Sequence, residues 1–293
     1  MKRFLGLFIL ILWVYILYST TSALEARIKV VTTLLPYKEF AEAVGAERVE
    51  VNVLIPPGAS PHTYELTPGQ LREISEARVY VTVGSGVEFE EVWFGRMVAL
   101  NREMIVCNSS DGLELREMGE SHQAKGDGRS HHRKDPHIWL SPRNARVIVK
   151  NITDCFVQLD PQGIEMYEFN SSEYIQQLDE IDREIEEKFS KLKDRSFIVF
   201  HPAWGYFARD YDLQQTAVHA EGKEPSPRDL IRAIEQARAH GIKTILVSPH
   251  INPRAARFIA EETDASVVFA DPLAEHYIEN LRKVAKLIAR SRE

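Results

Sequence analysis

Three of the chain's ten histidines fall within seven residues of the stretch SHHRKDPHIWLSP, residues 130–142. A polar surface loop is the plain explanation for such a stretch. Imidazole nitrogen is also a good ligand for zinc and related divalent metals, so these residues are candidates for a metal site. The other histidines of the chain, and the carboxylates that accompany them, decide between the two interpretations.

Four candidate ligands lie at the ends of predicted strands or short segments: His62, His137, His201 and Asp271. His62 lies in the loop after VEVNVLI, His201 follows SFIVF, and Asp271 follows SVVFA. His137 precedes the short segment IWLSP. Because ligands of alternating α/β units bind beyond the carboxyl ends of the strands, we expect these four side chains in one cleft.

Each of the four positions also has a purely structural interpretation. His62 is then a loop residue, His137 a cap of the helix starting at SPRNA, and His201 a buried histidine with satisfied hydrogen bonds. Asp271 is then a cap of the helix that follows it. Taken together, three imidazoles and one carboxylate at segment ends favour a metal site, and they suit the tetrahedral shell of zinc.

The elements that must position these residues alternate between strand and helix. This predicts an α/β fold of two lobes, each a mostly parallel sheet with helices on both faces. We place the N-terminal lobe at 25–160, a long rigid linking helix at 161–193 and the C-terminal lobe at 194–293. The helix is expected because apolar residues recur at steps of three and four: Tyr174, Leu178, Ile181, Ile185, Phe189 and Leu192. The polar stretch 119–134 is predicted to be a mobile loop.

Residues 1–24 resemble a secretory signal, with Lys2 and Arg3 before an apolar run that ends at Tyr18. An uncleaved anchor helix is the alternative; either way we expect the rest of the chain outside the cytoplasm. There Cys107 and Cys155 either pair or remain buried thiols. Three Asn-x-Ser/Thr sites could also accept glycans: Asn108, Asn151 and Asn170.

The composition is that of a globular protein with a substantial core, at 44% hydrophobic and 27% charged residues. The formal net charge is −7, so nucleic acid is not an expected partner.

Four stretches of the chain resemble the signature motifs of the metal-specific solute-binding proteins of ABC importers, the ZnuA/TroA-like family. They are PPGASPHTYELTP, DPHIWLSP, FHPAWGYFARDYDL and FADPLAEHYIENL. The resemblance covers nearly the whole chain after residue 24. It implies two lobes joined by a rigid helix and one metal ion held in the cleft by His62, His137, His201 and Asp271. It also implies a monomer that delivers a divalent metal ion to a membrane permease.

The stretch FHPAWGYF resembles the zinc type of this family, whereas manganese-type members tend to have glutamate at the position of His201. Zinc is therefore the expected metal, with manganese as the alternative. Zinc-type members often carry a histidine-rich loop before the second ligand. In this chain the corresponding loop has only His122, His131 and His132, so its role is left open.

A zinc-dependent hydrolase is the competing function, because three histidines can also hold a catalytic zinc that keeps a water as its fourth ligand. The chain contains neither an HExxH nor a GxSxG motif. A carboxylate in the fourth position would close the shell and leave no activated water. A binding protein without enzymatic activity is therefore the prediction. A surface-adhesion protein of the same fold is a third class, which no sequence feature tests.

Overall fold

A computed structural model describes residues 27–118, 134–218, 225–249 and 251–290. The predicted signal sequence, residues 119–133 of the predicted loop, His219 and His250 lie outside these ranges. None of the described helices combines the length and the apolar character needed to cross a membrane.

The first lobe is a four-stranded parallel sheet with strand order β2-β1-β3-β4 and helices packed around it. Its elements are β1 Ile28–Thr32, α1 Leu35–Gly45, β2 Val49–Val53, α2 Pro68–Glu76, β3 Val79–Thr82, α3 Glu88–Leu100, β4 Ile105–Asn108 and α4 Pro142–Leu159. A single turn of 3₁₀ helix, Ile138–Leu140, precedes α4.

The second lobe repeats this arrangement, with strand order β6-β5-β7-β8 and all pairs parallel. Its elements are β5 Ser196–Val199, α6 Gly205–Asp210, β6 Gln214–Ala217, α7 Pro227–His240, β7 Thr244–Val247, α8 Arg254–Thr263, β8 Ser266–Phe269 and α9 Tyr277–Arg290. The predicted two-lobe α/β fold is confirmed.

The long helix, α5, spans Ile164–Ser190 between the two sheets. A 3₁₀ turn at Pro161–Gly163 precedes it, so the α-helix is a few residues shorter at each end than predicted. Its apolar stripe is buried against α4, α1 and α9. One continuous core includes the stripe together with residues of both lobes, such as Tyr37 and Leu281.

The two cysteines form a disulfide between Cys107 on β4 and Cys155 on α4, with their Cα atoms 5.9 Å apart. Of the two alternatives left by the sequence, the structure therefore has the paired form. The Asn151 side-chain amide donates hydrogen bonds to the carbonyls of Ser109 and Asp111, and that of Asn170 donates to the carbonyl of Val44. A glycan on either nitrogen would have to displace these bonds.

Candidate metal centre

His137 is a buried side chain, only 4% exposed, at the start of the 3₁₀ turn. Asp135 Oδ1 accepts hydrogen bonds from the main-chain N–H of His137 at 3.0 Å and from its Nδ1 at 2.8 Å. Because Nδ1 donates to this carboxylate, the lone pair of the neutral ring lies on Nε2. Ser141, not His137, caps α4, since its hydroxyl accepts from the N–H of Asn144.

His201 lies two residues after the end of β5 and turns its ring toward His137. The two Nε2 atoms are 3.0 Å apart, and the ring centres are 4.9 Å apart. Two imidazole nitrogens at this distance either share a proton or approach the same cation, because two lone pairs facing each other repel. The arrangement thus fits a hydrogen bond between the two rings and also fits two ligands of one ion.

His62 lies in the loop between β2 and α2, with its ring centre 5.3 Å from that of His201. Its Nδ1 contacts Oε2 of Glu88, the first residue of α3. Glu88 thus contacts Nδ1 of His62 as Asp135 contacts Nδ1 of His137. In both cases a carboxylate holds Nδ1 and leaves Nε2 for a metal, which is the usual carboxylate–histidine–metal arrangement.

A second layer of contacts fixes Asp135 itself. Its Oδ2 accepts from Arg116 Nη1 at 3.0 Å, and its main-chain carbonyl accepts from the hydroxyl of Tyr206 at 3.0 Å. Burial raises the pKa of Tyr206 to about 12, so the hydroxyl stays protonated and can donate. Gly205 lies against this pair, and a β-carbon there would overlap Arg116 and come within 2.6 Å of Asp135 Oδ2.

The loop after β3 connects the two carboxylate–histidine pairs. Ser85 in this loop donates a hydrogen bond of 2.6 Å to the carbonyl of Pro136, next to His137. The buried carboxylate of Glu90 shapes the loop by accepting from the N–H groups of Val83 and Gly84. Burial raises the pKa of Glu90, although the hydrogen bonds that it accepts oppose that shift.

Asp271 lies at the end of β8, as predicted, but it does not line the cavity that the three histidines share. It lines a neighbouring smaller cavity with Leu34 and Ile55, and its Oδ1 accepts from the N–H of Leu273 at 2.9 Å. The next two residues, Pro272 and Leu273, do line the histidine cavity. The structure therefore brings three of the four predicted ligands together and places the fourth next to them.

The histidine cavity has a volume of about 670 Å³ and lies between the two sheets. In a sheet of order 2-1-3-4 the connections diverge between the first and third strands, and ligands bind at that point. Residues after β3 and residues after β5 and β7 line the cavity, so both sheets contribute such an edge. As the side chains stand, no group of three or more His, Cys, Asp or Glu among the described residues is placed so that it could hold a metal ion.

Comparisons with known proteins identify the family. Residues 30–291 match the family model described as zinc-uptake complex component A, periplasmic. The chain belongs to this family.

Individual relatives agree with this assignment. The chain is 32% identical to the high-affinity zinc uptake system protein ZnuA of Bacillus subtilis over 249 residues, which are 82% of this chain and 76% of that protein. A crystal structure of a ZnuA superposes with a TM-score of 0.84 at 35% identity, covering 91% of this chain and all of the other. A zinc-bound ZnuA lacking its residues 138–173 gives a TM-score of 0.82 at 34% identity, covering 91% and 98% of the two chains.

Glu88 and Asp135 are the site residues that sequence analysis missed. Asp135 precedes His137 by two residues in the DPH motif. The spacing Asp-x-His lets the carboxylate contact Nδ1 of the histidine, so the sequence contained a signal for Asp135. Glu88 lies 26 residues from His62, at the start of a helix rich in other glutamates. Only the packing of α3 beside the loop of His62 distinguishes it from its neighbours.

Proposed function

We propose that this protein captures zinc outside the cytoplasm and delivers it to an ABC-type membrane importer. Family membership supports this function, since the matched model describes a periplasmic zinc-uptake component. The cavity between two lobes supports it too, because an ion held there contacts both lobes and can be released when they shift. The importer is the partner that such a binding protein requires.

The three imidazoles are the proposed ligands. His62 and His137 would bind the ion through Nε2, because Nδ1 of each ring contacts a carboxylate. The observation that carries the proposal is the pair of facing Nε2 atoms of His137 and His201, with the Nδ1 of His137 already committed to Asp135. Asp271 remains the proposed fourth ligand. It would reach the ion by turning its side chain toward the cavity that Pro272 and Leu273 already line.

Zinc fits this set better than manganese, because imidazole nitrogen suits zinc whereas manganese prefers carboxylate and carbonyl oxygen. The hydrolase alternative needs an open fourth position, an activated water and a substrate beside it. Assaying the zinc-loaded protein for hydrolysis of ester and peptide substrates separates the two functions, and we expect no turnover.

A metal titration tests the binding function. Residues 25–293, freed of metal, should bind one zinc ion per chain in competition with a chromophoric chelator, and manganese much more weakly. His201→Ala should weaken zinc binding at least about tenfold, or 1.4 kcal/mol. His276→Ala is the matched control, because His276 is exposed and lies outside the cavity. Unchanged zinc affinity in the His201 variant would remove this assignment.

A further inference from the structure

The histidine cavity is much larger than its proposed cargo. Its volume is about 670 Å³, whereas a zinc ion with three waters needs only roughly 100 Å³, at about 30 Å³ per water. Pockets that bind small organic ligands span about 300–1,000 Å³. The cavity therefore has room for an organic molecule beside the ion.

One part of the cavity wall carries groups that suit such a molecule. It comes from the loop after β7 and the start of α8, at the point of the second sheet where its connections diverge. Ser248 and Arg254 supply polar groups in this part of the wall, and Trp139, Phe200 and Leu273, which come from other segments, add apolar surface to the same cavity. Mixed linings of this kind are typical of small-molecule pockets.

Arg254 provides a positive charge in this wall. It is the first residue of α8 and is exposed, and its side chain makes no hydrogen bond or ion pair with any described residue. Apart from Arg254 and the histidines, Glu88 is the charged side chain among the described residues that line the cavity, and it contacts His62. The guanidinium is thus available to a carboxylate, and the positive end of the α8 dipole adds to its attraction.

The three imidazoles leave zinc with a coordination position toward the cavity, since Asp271 lines the neighbouring one. Zinc can also expand to five ligands, so an external donor and Asp271 do not exclude each other. Arg254 lines the same cavity as the three histidines.

We propose that the cleft receives zinc together with a small chelator of the α-amino-acid type. One nitrogen donor of this molecule occupies the open coordination position, its carboxylate pairs with Arg254, and its carbon skeleton packs on the apolar residues of the cavity. This inference rests on the proposed function and adds the form in which the cargo is bound. It predicts a ternary complex of protein, zinc and chelator.

Equilibrium dialysis of the zinc-loaded protein with labelled L-histidine tests the ternary complex. Histamine is the matched ligand, because it has the same imidazole and amine but no carboxylate. We expect about one histidine retained per zinc and at least about tenfold weaker retention of histamine, the loss expected for one charged hydrogen-bonded pair. Arg254→Gln should weaken histidine retention similarly while keeping one zinc. Arg257→Gln, on the same helix but outside the cavity, should behave as the wild type.

The outcomes separate this inference from the proposed function. Zinc bound one per chain without retained histidine would overturn the inference and leave the metal-capture function intact. So would equal retention of histidine and histamine, removal of zinc from the protein by histidine, or a normal Arg254 variant. Failure of the wild-type protein to bind zinc at all would instead overturn the proposed function.

Discussion

Two of the three imidazoles contact a carboxylate through Nδ1, and this contact should affect zinc affinity. Glu88 and Asp135 each hold a ring nitrogen, so losing either should free the ring and lower zinc affinity. Replacing such a partner typically costs about 10–100-fold in metal affinity. We expect Glu88→Gln and Asp135→Asn to fall in this range in a competition titration.

Glu91→Gln is the control for the Glu88 variant, because Glu91 lies on the same helix but is exposed and outside the cavity. Its zinc affinity should match the wild type. If Glu88→Gln also matched the wild type, the contact with His62 would have no part in metal binding.

A second residue-scale prediction concerns pH and Asp160. Burial would raise the pKa of this carboxyl, but hydrogen bonds from Arg48, at 2.7 Å, and from Tyr167, at 2.6 Å, lower it below its usual value. A lowered pKa means that the stabilisation is present above the unfolded-state pKa and is lost as the pH falls through the folded-state pKa. Asp160→Asn should therefore lower the free energy of unfolding at pH 7 by about 1.5–3 kcal/mol.

Urea unfolding at pH 7, 5, 4 and 3 measures this difference, which should narrow below about pH 4. Asp154→Asn on the exposed side of α4 is the matched control and should change little at any of these pH values. A difference between Asp160→Asn and the wild type that stayed constant with pH would show that the carboxylate charge is not its source.

At the scale of elements, the disulfide ties β4 to α4, the helix that follows the His137 turn. It joins residues 48 positions apart, and closing a loop of this length stabilises a folded chain by about 2–4 kcal/mol. The double variant Cys107→Ala/Cys155→Ala should lose that amount in urea unfolding. A reducing agent should destabilise the wild type equally and leave the double variant unchanged; a wild type indifferent to reduction would contradict the pairing.

Elements with strong periodicity were predictable from the sequence, and those defined by tertiary contacts were not. The stripe of α5 was clear because Leu178, Ile181 and Ile185 repeat on one face. Strand β6, Gln214–Ala217, could not be predicted, because QQTA has no apolar alternation and pairs with β5 at the edge of the sheet. The sequence likewise predicted which histidines meet, because strand ends are predictable, but not that Asp271 lines the adjacent cavity.

At the scale of the whole molecule, the lobes are tied by more than the long helix. Trp139 Nε1 donates to the carbonyl of Pro272 at 2.7 Å, and Tyr277 donates from its hydroxyl back to the carbonyl of Trp139 at 2.7 Å. Glu39 of α1 accepts from both Tyr174 on α5 and the N–H of Tyr277 at the start of α9. These bonds join the first lobe, the helix and the last helix beneath the cavity.

This cross-linked base should keep the lobes nearly fixed when zinc binds. The helix is about 40 Å long at 1.5 Å per residue, and it contains no proline or glycine between Ile164 and Ser190 where it could kink. We therefore expect solution scattering with and without zinc to show a change in radius of gyration below about 1 Å, as in pre-organised binding. A decrease of several ångströms would mean that the base opens and closes as a hinge.

Zinc should nevertheless stabilise the fold, because an ion held by His137 from one lobe and His201 from the other binds only the folded chain. At 100 times the dissociation constant this linkage contributes about 2.7 kcal/mol, which for a protein of this size raises the melting temperature by about 5–10 °C. The His201→Ala variant lacks the ligand from the second lobe, so zinc should raise its melting temperature much less. An equal rise in melting temperature in that variant would place the stabilising ion elsewhere. In the wild type, the full rise together with an unchanged radius of gyration would show that zinc holds the two lobes together without moving them.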